Sequence, residues 1–472
     1  MQLTKTDFIH YLNCSKSFWL AKHEPENYPS GEFSVFLQKL IREGYEVERY
    51  VRQYFDSQDN HKVDFQKVFQ TDDGLFARAD GFEVTEEGLN ILYEVKSSTS
   101  VKTDKKHNHI KDACFQKICA ERSGTKIHKV YLIHLNGDYV RSGEIDPAKL
   151  LKIQDVTVEV AETEAATSAE IDHALSQLSA VAINKDGCEC LLKSRANHCD
   201  TFAVFNPNIP KPSIYSLPRL SQKKRDQLVG ENIYDLNDVD PEYELSDKQS
   251  IVLAAAHAGE PQISQRLIRG FLDEYKFPLY FFDYETFASA VPLVDGASPH
   301  KHFPVQYSLH ILHEDGSLEH REFLQQEMQL PRNLVDQMEA DFGADGSVVS
   351  WHASFEKTQN KEMANWFPDK SDFLMDINRR MVDLEDIFKE AYVDARFDGS
   401  TSIKKVLPVL CPELGYKDLD VQDGASAMDA WQKMMATAGK ERQKIAKGLL
   451  SYCEMDTYAM VAIYRFLSNL ER

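Results

Sequence analysis

Short apolar runs alternate with amphipathic segments along this chain, and that pattern predicts a mixed α/β protein. The clearest run is Leu279–Phe287, which follows Pro278 and opens with four apolar or aromatic residues. Such a run is typical of a strand buried on both faces. Asp283 and Glu285 follow, two residues apart. Because side chains alternate along a strand, both carboxylates are expected on one face.

Two like charges on one face of a strand resist burial unless a cation lies between them. A divalent metal ion held by hard oxygen ligands is the natural candidate. The alternative is an ordinary strand whose polar end carries two acids. The pair Asp283 and Glu285 therefore predicts a metal site only if further acids join it from elsewhere in the chain.

The first two hundred residues combine helical and strand patterns. Apolar spacing predicts helices over residues 6–20 and 35–54, and a third over 109–123. Two strand-like runs, residues 76–84 and 89–98, meet at a turn containing Gly88, which predicts a hairpin. A further strand is expected at Lys129–Leu135.

The predicted hairpin carries candidate chemistry. Asp80 lies on its first strand, and Glu94 and Lys96 project from one face of its second strand. Two acids and an amine meeting there would bind a metal ion and position an attacking water, while the ammonium steadies the water or the developing phosphate charge. A surface ion pair on an edge strand is the alternative interpretation.

The middle of the chain is predicted to link the N-terminal and C-terminal regions. Residues 206–212 are rich in proline and asparagine, which predicts a stiff, turn-rich linker. Helical patterns over 216–229 and 233–239 flank Gly230 in an arrangement similar to a helix-hairpin-helix, whose turn amides grip a phosphate. A plain helical spacer with a solvated basic turn is the alternative.

The last two hundred residues supply further polar groups at element ends. A strand beginning near residue 348 runs into a helix with Glu356 at the junction, and Asp383 lies beside apolar residues. Tyr452 and Asp456 are four residues apart in a final helical pattern. That spacing places the phenol and the carboxylate on one face of the helix.

Composition and charge narrow the class of protein. With 472 residues the chain is long enough for about three domains, and 42% hydrophobic residues indicate a globular protein. It lacks both an apolar run of transmembrane length and the apolar core of a signal peptide, so cytoplasm is expected and no membrane partner. A net charge of −21 argues against a sequence-independent clamp on long duplex DNA. It does not exclude a nuclease, because metal-dependent nucleases collect carboxylates around bound cations.

The N-terminal motif resembles the RecB-like branch of the PD-(D/E)XK nucleases. The match consists of Asp80, then Glu94-Val-Lys96, then Gln116 on the next helix, followed by a strand. The resemblance implies a restriction-endonuclease-like domain with Asp80 and Glu94 as metal ligands and Lys96 and Gln116 as catalytic residues. On the early helix, Glu48 stands where that branch usually has a histidine, so Glu48 is the expected remaining metal ligand.

Some members of that branch close the domain with an iron–sulfur cluster, held by one cysteine near the N-terminus and three after the core. The chain offers Cys14, Cys188, Cys190 and Cys199 in that order. Four thiolates ligate a [4Fe–4S] cluster, and zinc is the commonest alternative. Ordinary buried or surface cysteines are the remaining interpretation.

The C-terminal motif resembles the DnaQ-like DEDD exonucleases of the tyrosine subclass. The match consists of Asp283-x-Glu285 on a first strand and Tyr452-x-x-x-Asp456 on a last helix. It implies an RNase H-like domain in which the acids bind two metal ions that clamp the scissile phosphate, and in which the tyrosine orients the attacking water.

The remaining acid of the DEDD set has two candidates. The family normally has an aspartate after a phenylalanine, and here Phe355 is followed by Glu356, one methylene longer. Asp383 is the rival for that role. Both residues are therefore carried forward as candidate metal ligands.

The whole chain resembles an uncharacterised bacterial family that joins a RecB-like nuclease domain to a DnaQ-like exonuclease domain. Three regions are expected: a nuclease domain with the cysteines at residues 1–205, a helical linker at 206–277 and an exonuclease domain at 278–472. The implied function is a Mg²⁺- or Mn²⁺-dependent DNA nuclease with two phosphodiesterase sites, acting on single strands or ends. The C-terminal site is expected to be a 3′→5′ exonuclease, in DNA repair or phage defence.

Three alternatives stay open from the sequence. An RNA-directed nuclease would use the same sites. A nucleic-acid-binding scaffold with one or both sites inactive is motivated by Glu48 and Glu356, which depart from the family patterns. A thiol or iron–sulfur redox protein would rest on the cysteines alone.

Overall fold

The computed structural model describes residues 1–29, 35–58, 60–104 and 107–470. They form two compact units, and each is described by itself. The first unit comprises Met1–Lys193, Asn197–Pro207 and Ser289–Lys301. The second unit comprises Ser194–Ala196, Asn208–Ala288 and His302–Arg472, of which the last two residues are not described. Of the expected helical linker, residues 206–277, all but residues 206–207 lie in the second unit.

The first unit is built on one mixed sheet. Its strands are β1 (Leu3–Thr4), β2 (Val63–Gln70), β3 (Leu75–Val84), β4 (Asn90–Lys96), β5 (Lys129–Leu135) and β6 (Leu151–Asp155). The order is β1-β3-β4-β5-β6, and β2 also pairs with β3. The β1–β3 and β4–β5 pairs are parallel, and the others are antiparallel. The predicted hairpin is the β3–β4 pair, and Gly88 takes the left-handed conformation in its turn, with φ +79°.

Helices cover this sheet. They are α1 (Lys5–Asn13), α2 (Ser15–His23), α3 (Val35–Asp56), α4 (His109–Arg122), α5 (Pro147–Leu150), α6 (Thr157–Ser179) and α7 (Phe202–Phe205). Helix α4 lies between β3 and α6, and its apolar residues Phe115 and Ile118 are buried in the core between them. This packing fixes the helix that carries Gln116 against the strands of the hairpin.

The single helix predicted over residues 6–20 is two helices. Cys14 interrupts it with an extended backbone, φ −162° and ψ 112°. The Cys14 sulfur accepts a hydrogen bond from the Ser17 amide at 3.5 Å and so caps α2. Apolar spacing is preserved across the break, which is why periodicity alone did not reveal it.

The second unit is a sheet between two helical layers. Its strands are β7 (Gln262–Ile263), β8 (Leu279–Phe287), β9 (Phe303–Leu312), β10 (Leu318–Leu324), β11 (Ser347–Ser350), β12 (Met381–Asp383) and β13 (Tyr392–Val393). The main sheet has the order β10-β9-β8-β11-β12. Strand β8 pairs antiparallel with β9 and parallel with β11, so it is central and buried, as its apolar run predicts.

The helices of the second unit flank both faces of β8. They are α8 (Gln222–Gly230), α9 (Asp247–Ala258), α10 (Gln265–Asp273), α11 (Arg332–Asp341), α12 (Ser354–Trp366), α13 (Ser371–Arg380), α14 (Glu385–Glu390), α15 (Ile403–Leu410), α16 (Gly424–Ala436) and α17 (Gly439–Asn469). Phe281 faces α17, where its ring centroid lies 5.6 Å from that of Tyr464. Phe282 points to the opposite core, beside Phe342. Among the described residues, no helix has both the length and the apolar character to cross a bilayer.

Candidate functional site

An acidic cluster lies where β8 meets α17 in the second unit. Alternation along β8 places Asp283 and Glu285 on the face covered by α17. Helix α17 is held against that strand in part by the Cys453 thiol, which donates to the Asp283 carbonyl at 3.9 Å. Oxygen atoms of Asp283, Glu285 and Asp456 all lie within 4.8 Å of one another. The structure thus brings together three acids that are up to 173 residues apart in sequence.

Burial and mutual repulsion of the three carboxylates in this cluster favour the binding of a cation. Burial raises the pKa of Asp283 and of Glu285 well above their ordinary values, and the neighbouring Asp456 raises both further. Burial also raises the pKa of Asp456, to about 6. Like charges this close favour protonation unless a positive ion neutralises them. The hard oxygen donors fit Mg²⁺ or Mn²⁺.

Glu356 belongs to the same acidic neighbourhood. It lies in the first turn of α12 and is only 2% exposed. Its Oε2 atom is buried without a hydrogen-bond partner among the described residues, and its charge helps raise the pKa of Asp283. Burial raises its own pKa to about 7. An orphaned carboxylate oxygen at this position is suited to a metal ion.

The carboxylate of Asp383 is held by backbone amides. It accepts hydrogen bonds from the backbone amides of His352 at 3.0 Å, Ala353 at 3.2 Å and Glu385 at 3.1 Å. These bonds hold the β11–α12 turn, where His352 has a φ of +66°. Of the two rivals, the geometry therefore favours Glu356 as the fourth acid, because the oxygens of Asp383 are already engaged by amides.

Tyr452 is placed beside the acids by the same helix. Its hydroxyl accepts a hydrogen bond from Lys404 Nζ at 3.0 Å, and that ammonium also lies 5.0 Å from the centroid of the Tyr452 ring. Burial, followed by the charges of Asp456 and Glu285, raises the pKa of Tyr452. The phenol therefore stays protonated at neutral pH and can donate a hydrogen bond.

Sequence reasoning missed Tyr416, which follows α15. The Tyr416 hydroxyl donates to Asp456 Oδ1 at 2.7 Å, and the ammonium of Lys404 lies 5.2 Å from the Tyr416 ring centroid. No spacing rule connects Tyr416 to Asp456, because 40 residues separate them. Only the three-dimensional packing of the segment after α15 reveals this contact.

The first unit holds its candidate residues in a different arrangement. Glu94 is fully buried, and its Oε1 atom lies 2.5 Å from Lys5 Nζ and 2.8 Å from Lys96 Nζ. Gln116 Nε2 donates to Glu94 Oε2, and Lys96 also pairs with Asp112. Burial alone would raise the pKa of Glu94, but the two ammonium groups lower it to about 2. Sequence reasoning missed Lys5, which carries no motif signal.

Asp80 and Glu48 line a cavity of about 620 Å³ with Lys5 and Gln116. Asp80 accepts from the Val95 amide at 2.8 Å, and burial followed by the charge of Glu94 raises its pKa to about 7. Burial also raises the pKa of Glu48.

The three candidate metal ligands of the first unit, Asp80, Glu94 and Glu48, do not form a tight acid cluster. They are absent from the sets of described side chains whose ligand atoms lie within 4.8 Å of one another. Lys5 and Lys96 both pair with Glu94 Oε1, so that carboxylate is already neutralised. Their role as a metal set stays a prediction.

Four cysteines from distant segments meet in the first unit. The sulfur atoms of Cys14, Cys188, Cys190 and Cys199 all lie within 4.8 Å of one another, and none forms a disulfide. Apolar residues enclose them, including Trp19, Leu20 and Phe205. The break between α1 and α2 is what turns Cys14 toward the other three. The protein thus has a buried four-thiol cluster that is able to hold a metal centre.

The donor set of the cysteine cluster fits a thiophilic metal. Hydrogen bonds with other thiols of the cluster, that with Cys14 first, lower the pKa of Cys188 and of Cys190, while hydrogen bonds, that with Cys188 first, raise the pKa of Cys14. The Cys188–Cys199 sulfur separation is 4.0 Å. Two thiolates on one zinc ion stand about 3.8 Å apart, given the usual zinc–sulfur bond. An iron–sulfur cluster places its own core between the thiolates and requires them to spread further.

Comparisons with known proteins find partial matches whose descriptions give no activity. Residues 280–402 match a family described as Domain of unknown function (DUF2779). The chain is 28% identical over 212 residues to the uncharacterized protein MG366 homolog of Mycoplasma pneumoniae, and 26% identical over 212 residues to the uncharacterized protein MG366 of Mycoplasma genitalium. Each match covers 40% of this chain and 32% of the relative, so the chain spans about a third of the length of these curated relatives. No solved structure matches the chain. The matched family segment contains Asp283, Glu285, Glu356 and Asp383.

Proposed function

We propose that the protein is a metal-dependent nuclease whose principal active site is the acidic cluster of the second unit. The observation that carries this proposal is the convergence of Asp283, Glu285 and Asp456 within 4.8 Å. Those three acids occupy the positions that the resemblance to DEDD exonucleases assigns to metal ligands. The second unit is accordingly proposed to be an RNase H-like exonuclease domain, and the first a restriction-endonuclease-like domain.

The residues in and beside the acidic cluster would have different roles in catalysis. Asp283, Glu285, Glu356 and Asp456 would hold Mg²⁺ or Mn²⁺, which supplies a hydroxide nucleophile and stabilises the charge on the phosphate and the leaving oxygen. The buried phenol of Tyr452 is a neutral donor that orients the attacking water. Lys404 lies against that phenol and offers a positive charge to the substrate phosphate.

The proposed substrate is single-stranded DNA or a DNA end, cut from the 3′ end by the second unit. The net charge of −21 supports this choice over long duplex DNA, because a duplex clamp needs a broad basic face. RNA offers the same phosphodiester and remains the alternative substrate. DNA repair and phage defence are the processes in which such an activity would serve.

The first unit is proposed to contain a second phosphodiesterase site. Asp80, Glu94 and Glu48 would bind the metal ion, and Lys96 and Gln116 would be its catalytic residues. One observation favours the alternative that this site only binds nucleic acid. The buried carboxylate of Glu94 is already neutralised by Lys5 and Lys96, so it does not require a cation.

The cysteine cluster is proposed to hold a metal centre that closes the first unit. The resemblance implies a [4Fe–4S] cluster, whereas the 4.0 Å sulfur separation favours zinc. Metal content of the anaerobically purified protein, together with its visible absorbance, distinguishes the two. A brown protein with about four irons per chain supports the cluster, and a colourless protein with one zinc supports the ion.

The nuclease proposal is tested on single strands of DNA and RNA labelled at either end, with Mg²⁺ or Mn²⁺. We expect the wild-type protein to release mononucleotides from the 3′ end, and Asp283→Asn to abolish that release. Lys96→Ala should spare it and remove any second cleavage pattern. Asp315→Asn, in the exposed β9–β10 turn, is the matched control and should behave as wild type. Equal products from wild type and Asp283→Asn would overturn the proposal.

A further inference from the structure

A second cluster of metal-ligand side chains lies in the second unit, outside the acidic cluster. His310 on β9, His320 on β10 and Glu454 on α17 place one ligand atom each within 4.8 Å of the others. His310 is buried, His320 is half-buried and Glu454 is exposed. None of these residues has a part in the proposed nuclease chemistry, so their convergence needs a separate explanation.

Two hydroxyl groups orient the imidazole rings. Thr457 Oγ1 lies 2.8 Å from His310 Nδ1, and Ser308 Oγ lies 2.9 Å from His320 Nε2. The two hydroxyls are themselves hydrogen-bonded at 2.7 Å. Each ring therefore has one nitrogen fixed by a hydroxyl and the opposite nitrogen left as a candidate ligand atom. Histidines that bind metals are usually held in this way.

The remaining nitrogen of His320 lies near the Glu454 carboxylate, and the His310 ring lies beside that of His320. His320 Nδ1 lies 3.9 Å from Glu454 Oε1, and the His310 and His320 rings stack with centroids 4.4 Å apart. Two ligands of one zinc ion stand about 3.3 Å apart, so the ligand atoms must move together from separations of up to 4.8 Å. Rotation of the exposed Glu454 side chain can bring its carboxylate closer, and small adjustments of the two imidazole rings must supply the rest.

We propose that His310, His320 and Glu454 bind one divalent transition-metal ion of the kind that prefers imidazole, with zinc as the expected ion. Such an ion ties α17 to the β9–β10 hairpin. Helix α17 also carries Tyr452 and Asp456, so the bound ion would fix the position of the helix that completes the acidic cluster. The proposal concerns binding and stands whether or not the protein is a nuclease.

The test measures zinc bound to the full-length chain by equilibrium dialysis and elemental analysis, with excess Mg²⁺ present to fill sites that prefer hard cations. His320→Gln and Glu454→Gln change a half-buried and an exposed residue. Each is expected to bind one zinc fewer per chain than wild type, or to bind that zinc at least about tenfold more weakly. The cysteine cluster contributes equally to every protein, so the difference isolates this site.

His313→Gln is the matched control, because His313 lies in the same hairpin and pairs with Glu319 at 3.1 Å. It should retain the zinc stoichiometry of wild type. Zinc-induced thermal stabilisation supplies a second readout, which should be smaller in His320→Gln than in the control. Unchanged zinc binding in both His320→Gln and Glu454→Gln overturns the proposal, even if His320→Gln lowers Tm. That result would mean that the histidines serve only as a hydrogen-bond network.

Discussion

The hydroxyl of Tyr416 donates a 2.7 Å hydrogen bond to Asp456 Oδ1, which joins the segment after α15 to the last acid of the acidic cluster. Asp456 is also one of the three acids whose ligand oxygens lie within 4.8 Å of one another. An acid that binds a metal depends on such outer partners for its orientation. Given the proposed metal site, Tyr416 would be a positioning residue that acts through Asp456.

Tyr416→Phe is expected to lower metal-dependent cleavage about tenfold, because a hydrogen bond to a charged group is lost. The main effect should be that the variant needs a higher Mn²⁺ concentration to reach half of its maximal cleavage rate. A metal titration of the cleavage rate measures it. Tyr275→Phe is the control, since the buried Tyr275 hydroxyl has no hydrogen-bond partner among the described residues. An unchanged Mn²⁺ requirement in Tyr416→Phe would contradict the positioning role.

Asp283→Asn should have opposite effects on activity and on metal-free stability. Cleavage should fall at least about a hundredfold, since metal ions supply several kcal/mol of transition-state stabilisation. The metal-free protein should gain about 1–2 kcal/mol at pH 8, because one of the mutually repelling buried carboxylates is gone. Denaturant unfolding with EDTA and with Mg²⁺ measures both stabilities. A metal-free variant less stable than wild type would argue against charge repulsion in the cluster.

The pH dependence of stability should differ with and without metal. The folded-state pKa of Asp456 is raised to about 6, so the folded protein holds more protons than the unfolded chain above about pH 4. Without metal, this group's contribution is fully present below about pH 4 and is lost as the pH rises through 6. Saturating Mg²⁺ should abolish that loss. Unfolding free energies at pH 5 and pH 7.5, with and without Mg²⁺, check the sign.

Cys14→Ser should remove the metal centre of the first unit and lower its stability, because the energy of binding a structural metal contributes to folding. Iron and zinc analysis and thermal unfolding measure the two effects. Cys411→Ser is the matched control, since Cys411 is also buried but belongs to the second unit and not to the cysteine cluster. If Cys14→Ser and Cys411→Ser had the same metal content as wild type, the cysteine cluster would be an ordinary group of buried thiols.

Lys5→Ala should destabilise the protein by about 1–3 kcal/mol, because it removes one of the two ammonium groups that neutralise fully buried Glu94. Lys22→Ala breaks a more exposed pair with Asp7, at 2.6 Å, and should cost less than about 1 kcal/mol. Chemical denaturation compares the two variants. Equal small losses would show that Lys96 alone is enough to stabilise the Glu94 carboxylate.

Local patterns predicted much of the framework. The observed strands at Leu279–Phe287 and Lys129–Leu135 have the predicted bounds, and the β3–β4 hairpin and α17 lie where periodicity places them. The shared face of Asp283 and Glu285 followed from alternation along one strand. These features depend on residues that are close in sequence, so the order of the side chains is sufficient to predict them.

Contacts between distant segments could not be obtained in this way. The burial of Glu356 near Asp283, the Tyr416–Asp456 bond and the Lys5–Glu94 pair all depend on how separate elements pack. The same holds for the break at Cys14 and for the meeting of His310 with His320 and Glu454. Periodicity specifies the face of a helix or strand on which a side chain lies. The residue that it contacts is determined by the packing of elements distant in sequence, which also brings charged groups together in the interior.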